Sequence, residues 1–240
     1  MRIGGIFGCR RLHGKGGIRN MKKLAASIFL AFLVMVASAG ASLVTSIPGG
    51  VVVNMPAVNY FGVGPQVFGP GITWTSTNAS SNGGSVFGNA GGYDFGSNGY
   101  WTGALGPMAG LNSDSDFYPG VVDTMTFTFA SPVSSVGGFL NYYYNSDPNS
   151  TANPMIAVYD TKHQMIESYD LTFQTTGGTD VYAFYGFQEP SSTIKYFSLT
   201  DSFVGITHLT YAAVPEPGSL LLLGSGLLGA FGIARRRLGM

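Results

Sequence analysis

Between Ser42 and Ala213 the apolar residues recur at every second position far more often than at the three-and-four spacing of a helix. The clearest stretch, Thr124-Met-Thr-Phe-Thr-Phe129, places Met125, Phe127 and Phe129 on one face of an extended chain and three threonines on the other. Further β-branched or aromatic runs cover Ser135 to Tyr144, Met155 to Asp160, Met165 to Leu171, Val181 to Phe187, Thr193 to Leu199 and Val204 to Tyr211. Turn-forming clusters separate them, at Asn145-Ser-Asp-Pro-Asn149, Asp160-Thr-Lys-His163 and Thr176-Gly-Gly-Thr179. Strands at a spacing of about ten residues predict an all-β fold, an antiparallel β-sandwich of jelly-roll type. The segment from Gly83 to Gly120, rich in Gly, Ser and Asn, reads as long loops between short strands.

The two ends follow a different pattern. Met21-Lys22-Lys23 precedes an apolar run from Leu24 to Ala37, followed by the small-residue pairs Ala37/Ala39 and Ala39/Ala41. This is the charged, apolar and cleavable order of a signal peptide over 21–41. As a helix the run reaches about 21 Å, short for a permanent span, although a retained anchor or a buried helix is the competing reading. Residues 1–20 read as a non-structural upstream extension, with Met21 as the initiator. At the other end, Val214-Pro215-Glu216-Pro217 leads into an uncharged stretch from Gly218 to Ala234 and then Arg235, Arg236 and Arg237. Seventeen residues of helix reach about 26 Å, enough for a short transmembrane helix, and the arginines after it hold that end in the cytoplasm. The domain at 42–213 is thereby expected outside the inner membrane.

Charge sharpens this division. The chain has twelve basic and twelve acidic residues, but between Ser42 and Ala213 only Lys162 and Lys195 stand against eleven acids, a net of −9. Seven of the bases precede Leu24 and three lie in Arg235 to Arg237. Binding of nucleic acid by the middle is excluded, because phosphate contacts need a basic surface. The single cysteine, Cys9, precedes the expected mature start, so the domain must fold without a disulfide.

Pro215-Glu216-Pro217, the Gly- and Leu-rich span Ser219-Leu-Leu-Leu-Leu-Gly-Ser-Gly-Leu-Leu-Gly-Ala-Phe-Gly-Ile-Ala234 and the arginine cluster together resemble the PEP-CTERM sorting signal. The resemblance implies export in a Gram-negative bacterium that makes exopolysaccharide, and recognition and cleavage of the 214–240 tail by an exosortase. It also implies secretion machinery and, transiently, the inner membrane as partners, with the cell surface or extracellular matrix as destination. No Leu-Pro-x-Thr-Gly pentapeptide is present, which speaks against the Gram-positive sortase route; a plain membrane anchor is the other reading of the tail. Thr126-Phe-Thr-Phe-Ala-Ser-Pro-Val133, Gly137-Gly-Phe-Leu-Asn-Tyr142, Ile156-Ala-Val-Tyr-Asp160 and Ile206-Thr-His-Leu-Thr-Tyr211 resemble the body of many such proteins. That body brings no activity with it.

Candidate chemistry in the middle is sparse. Asn112, Asp114 and Asp116, with Asp123 further on, offer alternating oxygen ligands suited to a structural calcium ion. Phe117 stands where an EF-hand would place its glycine, and a solvated acidic loop explains the same residues. Glu167 and Asp170 are odd-spaced on a strand and point to opposite faces, so they make no catalytic pair. His163 and His208 have no nucleophile motif beside them, and no catalytic residue is assigned. Trp101, Tyr100 and Tyr143 are candidate platforms for sugar rings, although alternation requires that at least one of Tyr142, Tyr143 and Tyr144 point into the core. Two functions follow: a structural or adhesive component of an exopolysaccharide matrix or biofilm, or a lectin-like carbohydrate-binding module acting on that exopolysaccharide. The exported protein is expected to begin at Gly40 or Ser42; N-terminal sequencing that finds Met1 or Met21 contradicts the signal peptide.

Overall fold

The computed structural model describes residues 41–78, 84–89, 92–111, 123–144, 154–191, 193–200 and 203–213. The upstream extension, all of the signal segment but Ala41, the Asn145–Asn149 turn, Asn112, Asp114, Asp116 and the sorting tail from Val214 onward lie outside the described residues.

Sixteen strands are defined among the described residues. The first six are β1 (Ser42–Val44), β2 (Val51–Val52), β3 (Tyr60–Phe61), β4 (Gln66–Gly69), β5 (Ile72–Ser76) and β6 (Gly84–Phe87). A hairpin follows, β7 (Tyr93–Asp94) and β8 (Tyr100–Trp101), bracketing a single 3-10 turn at Gly96–Asn98. The remainder are β9 (Met108–Leu111), β10 (Thr124–Val133), β11 (Ser135–Tyr142), β12 (Met155–Tyr159), β13 (Met165–Asp170), β14 (Ala183–Gln188), β15 (Ile194–Thr200) and β16 (Val204–Ala212). From β10 on, these match the seven runs read from alternation. In the Gly-rich stretch the short strands expected between its loops are β6 to β9, of which β6 and β9 join the larger sheet.

Two antiparallel sheets result. Sheet A runs β1-β14-β11-β16-β9-β6-β3, with β2 added on β16, and sheet B runs β13-β12-β15-β10-β5-β4. The chain crosses repeatedly between them, β10 in B, β11 in A, β12 and β13 in B, β14 in A, β15 in B, β16 in A. This is the sandwich expected from the sequence, with jelly-roll-like crossing. Sheet A contributes Val136, Leu140, Tyr142, Phe187, Val204 and Ile206 to the core, and sheet B contributes Phe68, Trp74, Met125, Phe127, Phe129 and Phe197.

The alternation of β10 works as its sequence implies. Met125, Phe127 and Phe129 are buried while Thr124, Thr126 and Thr128 are half-buried on the opposite face. Phe127 packs edge-on against Phe68, with ring centroids 5.3 Å apart, and is stacked with Phe197 at 6.3 Å. Beyond Thr128 the pairing with β15 shifts register, resuming at Val133. Pro132 lies in the interrupted stretch and has no N–H to give the ladder.

A second, smaller core of Phe95, Trp101 and Met108 lies on the outer side of sheet A. Alternation explains the side: Ala109 and Leu111 of β9 face the main core, so Met108 faces away. Gly205 of β16 makes room for it, since a Cβ there would stand 2.9 Å from Phe95 and 3.0 Å from both Met108 and Trp101. His208 adopts φ +50° where β16 bulges against β11, between the pairs formed by Gly137 and Phe139.

Because Phe127 is fully buried and packs against the rings of Phe68 and Phe197, Phe127→Ala is expected to destabilise the domain by about 3–5 kcal/mol. Urea denaturation of the two proteins checks this; a loss near zero would mean that the inter-sheet core does not form around β10.

Candidate functional site

Trp101, expected as a sugar platform, is corrected by its burial: it is 0% exposed and has no free face. Its ring meets Phe95 edge-on at 4.8 Å, and its indole N–H donates to the Val181 carbonyl at 2.8 Å. Glycine-rich, polar surroundings made it read as exposed, yet an indole needs both apolar cover and an acceptor, and the neighbouring loop supplies them. Tyr100 and Tyr143 are 40% and 42% exposed. Tyr142 is the inward member of its triplet; its hydroxyl donates to the Phe173 carbonyl at 2.9 Å, and burial raises its pKa.

The hairpin bearing Tyr100 and Trp101 is stitched to the loop before β14 by polar contacts. The buried Asn141 amide donates to the carbonyls of Asn98 at 2.9 Å and Val181 at 3.1 Å. Thr175 N–H donates to the Asn98 side-chain oxygen at 3.2 Å. Asp180 accepts from Thr102 N–H at 2.8 Å and from its hydroxyl at 2.5 Å. These groups are used within the fold, so this region is a brace. Beside it, a cavity of about 300 Å³ is lined largely by Val53, Met55, Leu105 and Pro107, with Thr207 and His208 at its polar side.

Of the calcium candidates, Asp123 alone falls within the described residues. It is buried, and its carboxylate accepts from the Thr77 hydroxyl at 3.3 Å and the Asn78 amide at 2.8 Å. That ties the end of β5 to the start of β10. Among the described residues no group of three or more His, Cys, Asp or Glu side chains is placed to hold a metal ion.

A face that the sequence marked only as the polar side of a strand carries a groove of about 320 Å³ on sheet B. Its floor includes Thr75, Thr126 and Ser198, laterally paired on β5, β10 and β15. At one end stand Tyr159, Tyr196 and His163, the last two with rings stacked 4.1 Å apart at 21°. The threonine alternation was legible beforehand, but that it abuts hydroxyls of other strands depends on register.

Glu167, on β13 of sheet B, is near enough to Glu189, just past β14 of sheet A, for its charge to act on it. Glu167 pairs laterally with Val158, a core residue, and so points inward, whereas Asp170 pairs with Met155 and points outward. Glu189 is only 6% exposed, and its Oε1 has no hydrogen-bond partner among the described residues. Burial raises the Glu189 pKa, and the nearby Glu167 charge raises it further. A group whose folded pKa lies above its unfolded value contributes stability that is complete below the unfolded pKa and is lost as pH rises through the folded one. Glu189→Gln is therefore expected to melt above the parent protein at neutral pH, with the gap closing as pH falls toward the ordinary carboxylate range. Thermal melts of both proteins across that range check the sign; a gap independent of pH overturns it.

No curated protein and no solved structure is significantly similar to the chain. Residues 213–237 do match a known signal, covering Pro215-Glu216-Pro217, the uncharged stretch and all three arginines. The chain thus carries a PEP-CTERM protein-sorting motif, which marks it as an exported protein recognised by an exosortase, with a membrane-anchored stage before processing.

Proposed function

We propose that residues 42–213 form a non-enzymatic structural or adhesive component of the cell surface or of an exopolysaccharide matrix, in a Gram-negative bacterium. The observation that carries this reading is the junction of fold and signal. Strand β16, paired on both sides within sheet A, ends at Ala212, and the sorting motif begins at Ala213. The cargo is joined to its signal without a linker, so processing near Pro215-Glu216-Pro217 releases the domain with almost no tail of its own. Proline at 215 and 217 disfavours helix, which suits a stretch that an enzyme binds as a strand. The segment from Gly218 to Ala234 acts as a transient transmembrane helix held by Arg235 to Arg237. Its five glycines each cost about 1 kcal/mol of helix stability relative to alanine, which suits a span that an enzyme must engage.

At the other end Ala41 packs against the core beside β1, which favours signal cleavage after Ala39 over cleavage after Ala41. The second reading, a lectin-like module, has its own support in the groove on sheet B.

In the native host, mass spectrometry is expected to find the mature C-terminus near residues 214–217, and Arg235, Arg236 and Arg237 changed together to Ala are expected to impair retention and processing. Cells lacking the protein are expected to aggregate less and to shed more matrix than the parent. A surface protein still carrying Arg235 to Arg237 contradicts the transient anchor, and unchanged aggregation contradicts the adhesive role.

A further inference from the structure

We infer that the groove on the outer face of sheet B binds a neutral polysaccharide chain laid across the strands. The inference rests on the reading of the domain as a surface component that meets glycan, and it moves the contact from the expected aromatic residues to a different face.

The register builds the site. Thr75 lies opposite Thr126, and Thr126 opposite Ser198. One pleat along, Thr128 lies opposite Tyr196, and Tyr196 opposite Tyr159. One pleat the other way, Thr124 lies opposite Thr200, their hydroxyls 3.2 Å apart. Laterally paired side chains stand about 4.5–5.5 Å apart, and alternate residues along a strand about 6.5–7 Å apart. Hydroxyls are thus displayed in a two-dimensional array. Each both donates and accepts, so the array can meet ligand hydroxyls in either orientation. From β5 across β10 and β15 to β12 the groove spans three strand spacings, about 14 Å, longer than a single sugar ring.

Ser198 gives an independent pointer. It lines the groove, it is 2% exposed, and its hydroxyl has no hydrogen-bond partner among the described residues. A hydroxyl left unpaired and buried is costly, and turning the Ser198 side chain toward the groove would let a ligand hydroxyl supply what it lacks.

Charge and shape select the ligand class. Although the domain carries eleven acids, no Asp, Glu, Lys or Arg lines the groove among the described residues. A phosphate or uronate would find no fixed cation there, and a cationic peptide no carboxylate. The aromatic end offers a flat apolar wall against a polar floor, the combination that fits a ring with hydroxyls at its edge and C–H bonds on its face. The wall is held in place: His163, at φ +59°, is presented by a turn in which Asp160 accepts from Lys162 N–H at 2.8 Å and Gln164 N–H at 2.9 Å.

Isothermal titration calorimetry of the exported protein with cellohexaose, laminarihexaose, mannohexaose and hexagalacturonate tests the inference. The T126V/T128V double variant keeps the β-branched shape and removes two hydroxyls, so it retains the strand; its melting temperature confirms folding. Saturable binding of a neutral hexasaccharide is expected, weakened at least tenfold in T126V/T128V and in Tyr196→Ala. A Tyr100→Ala/Tyr143→Ala variant, altered away from sheet B, is expected to bind within twofold of the parent. The proposal is overturned if none of the neutral hexasaccharides binds, if T126V/T128V binds like the parent, or if hexagalacturonate binds more tightly than all three. Cell aggregation separates this result from the adhesive reading. Correctly sorted T126V/T128V protein that restores aggregation fully removes the groove and leaves the adhesive role, whereas a deletion strain that aggregates normally removes the adhesive role and leaves the titration to judge the groove.

Discussion

Burial of Met125, Phe127 and Phe129 from one strand is the constraint on which the rest of the domain depends. Strand β10 is hydrogen-bonded on both sides, to β5 and to β15, and its three apolar side chains meet the inner face of sheet A in a single core. A slip of one residue would carry all three to the outer face and bring three threonines inward. The apolar face therefore sets the register, and the register sets which hydroxyls become neighbours on the other side. Core and groove are two consequences of one alternation.

The two outer faces of the sandwich are handled in opposite ways. On sheet A, Met108 and the space above Gly205 call for cover, and the β7–β8 hairpin supplies it with Phe95 and Trp101. The cover is itself fastened by buried polar groups, Asn98 and Asn141 among them, whose hydrogen bonds are satisfied by loop carbonyls and N–H groups. On sheet B the corresponding positions are Thr75, Thr126, Thr128 and Ser198, short side chains that ask for polar contact. A polar face can remain open where an apolar one must be covered, which is why the groove lies where it does.

Export places demands that this fold meets without covalent help. Its lone cysteine lies at position 9, and the described domain holds its two sheets together by packing and by interlocked crossings. The chain enters the domain at β1, an edge strand of sheet A, and leaves it from β16, an inner strand of the same sheet. Exit from an inner strand places the sorting motif just past residues Thr210 and Tyr211, which pair with β11 on one side and β2 on the other.

How much of this was legible in the residues follows from the range of the interactions involved. Alternation, turn clusters and the two charged, apolar ends are local patterns, and the seven later strands, the sandwich and the sorting motif could be read from them because a strand's two faces and a segment's polarity are properties of adjacent residues. Trp101 could not be placed this way. Its burial depends on Gly205, about a hundred residues further on, and on the Val181 carbonyl, neither of which leaves a mark near Trp101. The nearness of Glu167, on β13 of sheet B, to Glu189, just past β14 of sheet A, likewise depends on how the two sheets pack together. The groove lies between these cases. Its threonines were visible as one face of β10, but Ser198, Tyr196 and Thr75 join them only through lateral pairing, and lateral pairing is decided by which strands the core brings side by side. The sequence by itself determined the fold class and the route of export, because both are written in short-range patterns; the tertiary structure decided which aromatics are hidden and which hydroxyls gather, because those depend on contacts between residues far apart in the chain.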